Sequence, residues 1–254
     1  MEKWKQVAHK FIDICSFKDD IDAVFLSGSH ASGNADEFSD IDLYIVLNDE
    51  VKWRERGNKR IDGLYVEYFA NPMRQIMKYI DDSYPNVQLI EINMILSGIV
   101  ILDKNSTAQK AIDYCKQKAM FGFPKMDAYS VKMGLYTLWT NYDELSRACS
   151  YQTPDAAMHF YGFIQNAFEL YSRYICSPVP HYHKLHRWLT DEGYAKRYDL
   201  GVYNDLDFLE MLKMAFKVKE TGDMFDLSKE IYAYVTGKMG GIDVENFMLH
   251  GPCD

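Results

Sequence analysis

The sequence predicts a first half of strands and helices, α/β or α+β in class, followed by an all-helical second half. Three observations predict it. As far as about residue 120, short apolar runs bounded by Gly, Ser and Asp alternate with helically spaced apolar residues. From Lys125 onward only the helical spacing persists. Between the two, Phe121-Gly122-Phe123-Pro124 breaks the pattern.

Residues 4–17 carry Trp4, Val7, Phe11, Ile14 and Cys15 at helical spacing, which predicts a helix packed on a sheet. Residues 24–26 form a strand that ends in Ser27-Gly28-Ser29, with a turn and a short helix after it. Ser39-Asp40-Ile41-Asp42 leads into a second strand over residues 43–47. Residues 52–63 are charged and read as a loop, and residues 64–69 make a third strand. Pro72 opens a helix with Met73, Ile76, Met77 and Ile80 on one face, since Pro is tolerated in a first turn. Residues 87–96 read as a further helix, and residues 98–103 as a short strand returning to the sheet. Residues 108–120 are helical.

The second half reads as helices over residues 127–150, 154–176, 183–189, 205–219 and 227–238. Thr153-Pro154-Asp155 offers a cap and a Pro at the first helical position. Ser177-Pro178-Val179-Pro180 is a rigid connection. Gly240-Gly241 ends the last helix, and the tail to Asp254 reads as loose.

Composition narrows the function. A chain of 254 residues can bury one large core or two modest ones. A net charge of −9 leaves no basic excess to displace counterions, which argues against general nucleic-acid binding. A neutral or cationic small substrate suits it better. Cys15, Cys115, Cys149, Cys176 and Cys253 are scattered, odd in number and without a CxxC pair, so neither a disulfide framework nor a zinc ribbon is expected. That pattern fits a reducing cytoplasm. The N-terminus is too polar for a signal peptide, and no run approaches the ~20 apolar residues of a membrane span.

The chemistry concentrates between residues 24 and 69. Alternate residues of a strand share a face, so Asp40 and Asp42 point the same way, with Cα atoms about 6–7 Å apart. Two anions so close repel unless a cation joins them, and a hard divalent cation with oxygen ligands does so best. Glu67 lies mid-strand among aromatics, an expensive place for a carboxylate without a partner. If its strand neighbours that of Asp42, Glu67 becomes a third ligand or a base. Gly28 and Ser29 stand where a strand turns into a helix, so free N–H groups and the Ser29 hydroxyl can meet an anion. Separately these are common features: a Gly-Ser turn, a solvated strand end, a surface acid. In this order, each on its expected element, they describe a site for a nucleoside triphosphate and metal.

Gly28-Ser29, then Asp40-x-Asp42 after a short helix, then a lone acid on a later strand, resembles the nucleotidyltransferase superfamily of the DNA polymerase beta type. Chain length and the helical second half look like the small antibiotic nucleotidyltransferases of the kanamycin and lincosamide kind. The motif part covers residues 25–69, and the rest matches in layout. The resemblance implies an α+β fold. Residues 1–122 would be a nucleotidyltransferase catalytic domain with a mixed sheet and flanking helices, and residues 123–254 a helical-bundle substrate-binding domain. It implies Mg2+-dependent transfer of a nucleoside monophosphate, AMP first, from ATP or another NTP to a hydroxyl of a small acceptor. The acceptor could be aminoglycoside- or lincosamide-like, with antibiotic resistance as the family association. By motif position Asp40, Asp42 and Glu67 would hold metal, and Gly28 and Ser29 phosphate. Nucleic acid and membrane are not expected partners, and a monomer or homodimer is expected.

Beyond the motif, Asp143 and Arg147 lie four apart on one helix, with Glu144 beside them. The plain reading is a surface ion pair worth a few tenths of a kcal/mol. The kanamycin-type layout implies instead a general base at Asp143 or Glu144 and a phosphate contact at Arg147. Lys184, at a helix start after a Pro-rich turn, is either solvated or a triphosphate contact. His181, His183 and His186 straddle a loop and a helix start without a nearby acid or thiol, which makes zinc the weaker reading. His30, directly after Ser29, either helps hold phosphate or is simply a first-turn residue, the plainer reading. Tyr129, Tyr136, Tyr142, Tyr161, Tyr171 and Tyr174 read mostly as core. Two other functions are compatible with the motif: a protein adenylyltransferase, and a non-catalytic nucleotide-binding or antitoxin-like module. Pyrophosphate release with small acceptors separates them.

Overall fold

Apolar runs with strand spacing build a five-stranded mixed sheet with helices on both faces. The computed structural model describes residues 3–198 and 202–251, and divides into two units, Met1–Phe123 and Pro124–Asp254. Cys253 and the last residues of the tail, 252–254, lie outside the described residues. The first unit runs α1 (Lys3–Ile14), β1 (Ile21–Ser27), α2 (Gly28–Ser32), β2 (Ile41–Leu47), β3 (Glu55–Ile61) and β4 (Leu64–Pro72). It continues through α3 (Met73–Ser83), α4 (Ile90–Leu96), β5 (Ile99–Asp103) and α5 (Thr107–Met120). Strand order is β3-β4-β2-β1-β5; β2 and β4 are parallel, and every other pair is antiparallel.

Alternation sorts the side chains of β1 and β2 to two cores. Val24, Leu26, Ile41, Leu43 and Ile45 pack with Val7 and Phe11 of α1. Ala23, Phe25, Tyr44 and Val46 pack with Ile76 and Ile80 of α3, Ile92 and Ile95 of α4, and Ala108 and Ala111 of α5. With both faces covered, β1 and β2 read as nearly continuous apolar runs.

Residues 52–63 are a correction to the sequence reading. They hold β3, an edge strand whose only buried residue is Ile61. A run such as ERGNKRI has no apolar alternation because an edge strand needs none, and charges there deter stray pairing. The Asp62-Gly63 pair, both at positive φ, closes a two-residue hairpin into β4. Residues 87–89 are a second correction. Val87 sits at φ 54 after the 3-10 turn Tyr84–Asn86, so α4 begins only at Ile90.

The second unit contains α6 (Ala128–Ser150), α7 (Ala156–Tyr174), α8 (Leu185–Thr190), α9 (Glu192–Tyr198), α10 (Leu206–Ala215) and α11 (Thr221–Met239). No strand occurs among its described residues. Leu138, Leu145, Phe160, Phe163, Ile164, Phe168, Phe208, Leu212, Ile231 and Val235 form its core. Helix α9 falls between the segments with helical apolar spacing, and α11 starts at Thr221 rather than residue 227. Pro154 precedes the helix it was expected to open: Asp155 is the N-cap of α7 and accepts from the Thr153 hydroxyl at 2.5 Å.

Asp205 ties three elements together. It caps α10 by accepting from the Phe208 N–H at 3.1 Å, and accepts from the hydroxyls of Tyr171 (2.6 Å) and Tyr234 (2.9 Å). Of the six tyrosines expected mostly in the core, Tyr171 is buried and Tyr142 stacks on Tyr232 with ring centroids 4.5 Å apart. Tyr174 is half-buried, whereas Tyr129, Tyr136 and Tyr161 are exposed. That is a correction: a helix in a small bundle buries only one stripe. Among the described residues no helix is long and apolar enough to cross a membrane.

Glu91 and Asp205 titrate in opposite directions. Burial pushes the Glu91 carboxyl above its ordinary value of 4.5. Burial also raises Asp205, but the Tyr171 hydroxyl, the Phe208 N–H and the Tyr234 hydroxyl outweigh it and leave that carboxyl low. A raised acid in the folded state has its full stabilising contribution below the unfolded pKa and loses it as pH rises through the folded one. Glu91→Gln is therefore expected to raise the melting temperature at pH 7, with the gain vanishing below about pH 4. A gain that persists at pH 3.5, or none at pH 7, contradicts the burial argument. Asp205→Asn is expected to lower the melting temperature at pH 7, with the loss shrinking in acid.

Candidate active site

Strand register brings the carboxylates together. In the parallel β2–β4 ladder Asp42 stands opposite Glu67, and in the antiparallel β1–β2 ladder Asp42 stands opposite Ser27. Asp42 is thus flanked on one side by an acid and on the other by the start of the Gly28-Ser29 turn. Asp40 precedes β2 by one residue. The three carboxylates are half-buried, and each offers an oxygen within 4.8 Å of the others.

The loop before Asp40 is held by local hydrogen bonds. The Asp36 carboxylate accepts from the Phe38 N–H at 3.0 Å and the Ser39 hydroxyl at 3.0 Å, while the Asp36 N–H donates to Ser39 Oγ at 2.9 Å. Gly33, left-handed at φ 72, ends α2. On the other side the buried Ser27 hydroxyl donates to the Met94 carbonyl at 2.9 Å and anchors the end of β1 to α4.

Gly28 is required twice over. Its φ is +66, a left-handed conformation that costs an L-residue about 1–2 kcal/mol. A Cβ there would also lie 1.9 Å from Asp42 Oδ2. The glycine is what lets the Asp42 carboxylate lie against the turn. Ser29 follows in α2, half-buried, and its carbonyl accepts from the Asn34 N–H at 2.9 Å.

Arg56 is the residue that sequence reading missed, because its strand looked like a loop. Its guanidinium donates to Glu67 Oε1 at 2.8 Å and lies over the Phe69 ring, 4.5 Å from the centroid. In the β3–β4 register Arg56 stands opposite Phe69, two residues from Glu67, a diagonal that long side chains span. The Asp-Gly hairpin signal at residues 62–63 could have revealed the strand and, with it, this pairing. Glu67 therefore has the partner its position demanded. An exposed pair of this kind is worth about 0–1 kcal/mol.

The remaining expected residues lie in the second unit. Asp143 and Arg147 form an i,i+4 ion pair at 2.7 Å on the surface of α6, and Glu144 is exposed. Lys184 ends the 3-10 turn Tyr182–Lys184 ahead of α8 and is half-buried. The rings of His181 and His183 are 4.2 Å apart, while His186 meets Phe216 edge-on. Among the described residues, only Asp40, Asp42 and Glu67 converge as three metal-ligating side chains. In the first unit, His30 lies 6.3 Å from the Trp4 ring, with its Nε2 enclosed and without a hydrogen-bond partner.

The donor set fits a divalent cation. Three carboxylates and no nitrogen or sulfur ligand is the chemistry of a hard ion such as Mg2+ rather than of zinc. The adjacent glycine turn and the guanidinium of Arg56 suit an anion brought in beside it.

The family model described as a nucleotidyltransferase domain matches residues 8–85, a span that holds Gly28, Ser29, Asp40, Asp42 and Glu67. Among solved structures, a nucleotidyltransferase-like protein from Exiguobacterium sibiricum is similar at a TM-score of 0.47 and 10% identity, over 92% of this chain and 77% of that one. No curated protein matches the chain in sequence.

Gly28→Ala tests the geometry of the turn. The substitution is expected to lower unfolding free energy in a urea titration by at least about 1–2 kcal/mol, the cost of forcing an L-residue left-handed, with displacement of the Asp42 carboxylate added to it. An unchanged midpoint would mean that the turn relaxes without strain.

Proposed function

We propose that the chain is a nucleotidyltransferase that moves a nucleoside monophosphate, AMP first, from a nucleoside triphosphate to a hydroxyl of a small acceptor. The observation that carries this reading is the convergence of Asp40, Asp42 and Glu67 beside the Gly28-Ser29 turn. The match of the nucleotidyltransferase domain to the same span supports it.

Asp40, Asp42 and Glu67 would hold a divalent cation, Mg2+ by their chemistry. Bound there, such an ion supplies charge neutralisation for the triphosphate and the developing transition state. The Ser29 hydroxyl, at a turn whose glycine admits a close approach, orients the phosphates. The acceptor oxygen attacks the α-phosphorus in line, and its bond to the oxygen bridging to the β-phosphate breaks. Pyrophosphate leaves with that oxygen, and the acceptor proton passes to a carboxylate. Asp143 is the general base that the resemblance proposes, with Arg147 and Lys184 as phosphate contacts. Glu67 is the base if neither Asp143 nor Glu144 is.

An aminoglycoside- or lincosamide-like acceptor is the first class to test, because an acidic chain favours amine-bearing substrates. The assay is pyrophosphate release from Mg-ATP with a panel of such acceptors. Label transferred only to protein favours a protein adenylyltransferase. Tight nucleotide binding without turnover favours a non-catalytic module.

Asp42→Asn is expected to abolish turnover while the melting temperature holds or rises, because a mutually repelling charge is removed. Turnover near the wild-type rate refutes the metal-holding role. Asp143→Asn is expected to lower kcat about 10²–10⁴-fold with little change in Mg-nucleotide affinity. A neutral Asp143→Asn with an impaired Glu144→Gln moves the role to Glu144, and two neutral results move it to Glu67.

A further inference from the structure

Arg56 enters neither the motif nor the mechanism above, yet its guanidinium touches the triad at Glu67. Its guanidinium bonds Glu67 Oε1 at 2.8 Å, at the end of the site opposite Gly28. The two partners differ in exposure: the Arg56 side chain is 70% accessible and that of Glu67 27%. The pair is therefore held weakly and can be exchanged. Phe69 supports the guanidinium from below, so Arg56 can leave Glu67 without losing its seat on the ring.

We propose that Arg56 is a placeholder cation and a triphosphate-binding residue. In the unloaded chain it neutralises Glu67. It yields that carboxylate to the divalent cation, and the released guanidinium then takes a phosphate oxygen of the nucleotide bound to the same ion. This inference rests on the reading that the triad holds a divalent cation.

Charge and geometry both support it. Three carboxylates within 4.8 Å of one another are an unfavourable group, and one guanidinium on Glu67 offsets part of the repulsion. A divalent ion offsets more and competes for the same oxygen. Guanidinium presents five donors in a planar fork and pairs with phosphate as readily as with carboxylate. The surrounding strand is basic on balance: Lys59 and Arg60 share β3 with Arg56 against the one acid Glu55, in a chain of net charge −9. An anion arriving along β3 therefore meets a local positive field that the whole chain does not have.

The test uses the full chain and two ligands in separate titrations. Mn2+ alone is followed by electron paramagnetic resonance, and Mg2+ with a non-hydrolysable ATP analogue by calorimetry. Arg56→Gln is expected to bind Mn2+ about 3-fold more tightly than wild type without nucleotide, because its competitor is gone. The same variant is expected to bind the analogue about 10-fold more weakly, the loss of one charge-assisted phosphate contact. Arg56→Lys is expected to fall between on nucleotide affinity, since an ammonium lacks the fork. Residue 56 lies on an exposed edge strand, and thermal melting checks that each variant folds.

Equal Mn2+ affinity in wild type and Arg56→Gln overturns the placeholder role, and unchanged analogue affinity overturns the phosphate role. Asp42→Asn separates this inference from the reading beneath it. Mn2+ binding that Asp42→Asn abolishes and Arg56→Gln leaves untouched sinks the inference alone. A wild-type chain that binds no Mn2+ sinks both.

Discussion

Three carboxylates confined within 4.8 Å of one another are the constraint around which the first unit is built. Each close pair repels by roughly 1–3 kcal/mol, between the screening of water and that of a protein surface. The sheet enforces the arrangement through the β2–β4 register, which sets Asp42 opposite Glu67 with no freedom to slip. A shift by one residue would turn Asp42 into the α1-facing core and put Ile41 and Leu43 in its place. The apolar alternation of β2 and the acidity of the site are thus a single requirement. The core on each face holds the register, and the register holds the acids together.

The elements around the triad each relieve or exploit that strain. Arg56 reaches Glu67 from the edge strand, and Gly28 removes the side chain that would occupy the space of the Asp42 carboxylate. Ser27 pins the end of β1 to α4 through the Met94 carbonyl, so the turn that carries Gly28 starts from a buried anchor. The Asp36–Ser39 hydrogen bonds shape the loop from which Asp40 emerges. A rigid frame under a repulsive cluster suits cation binding, because a preorganised site does not have to collect its ligands.

The second unit is stabilised on different terms. Its core is aromatic and aliphatic, and its main polar junction is Asp205, which joins α10 to tyrosines of α7 and α11. Such a junction fixes the relative rotation of three helices that apolar packing alone would leave degenerate. The surface pair of Asp143 and Arg147 contributes little to that stability.

The residues that converge around Asp42 stand out in the sequence without coordinates. Asp40-x-Asp42 at a strand start, Gly28 at a strand end and Glu67 amid aromatics each break a local rule: charge beside charge, glycine at an element boundary, acid in an apolar run. The α+β class and the helical second half followed from periodicity, which reports burial directly. Tertiary structure alone decided what pairs with what. Strand β3 has no apolar alternation because it lies at an edge, so periodicity could not see it, and Arg56 remained hidden with it. The closeness of Gly28 to Asp42 arises between β1 and β2, across residues fourteen apart in sequence. Local pattern determined which residues carry charge and which face they take. The sheet order and register, set by packing among distant segments, determined that three of those charges meet.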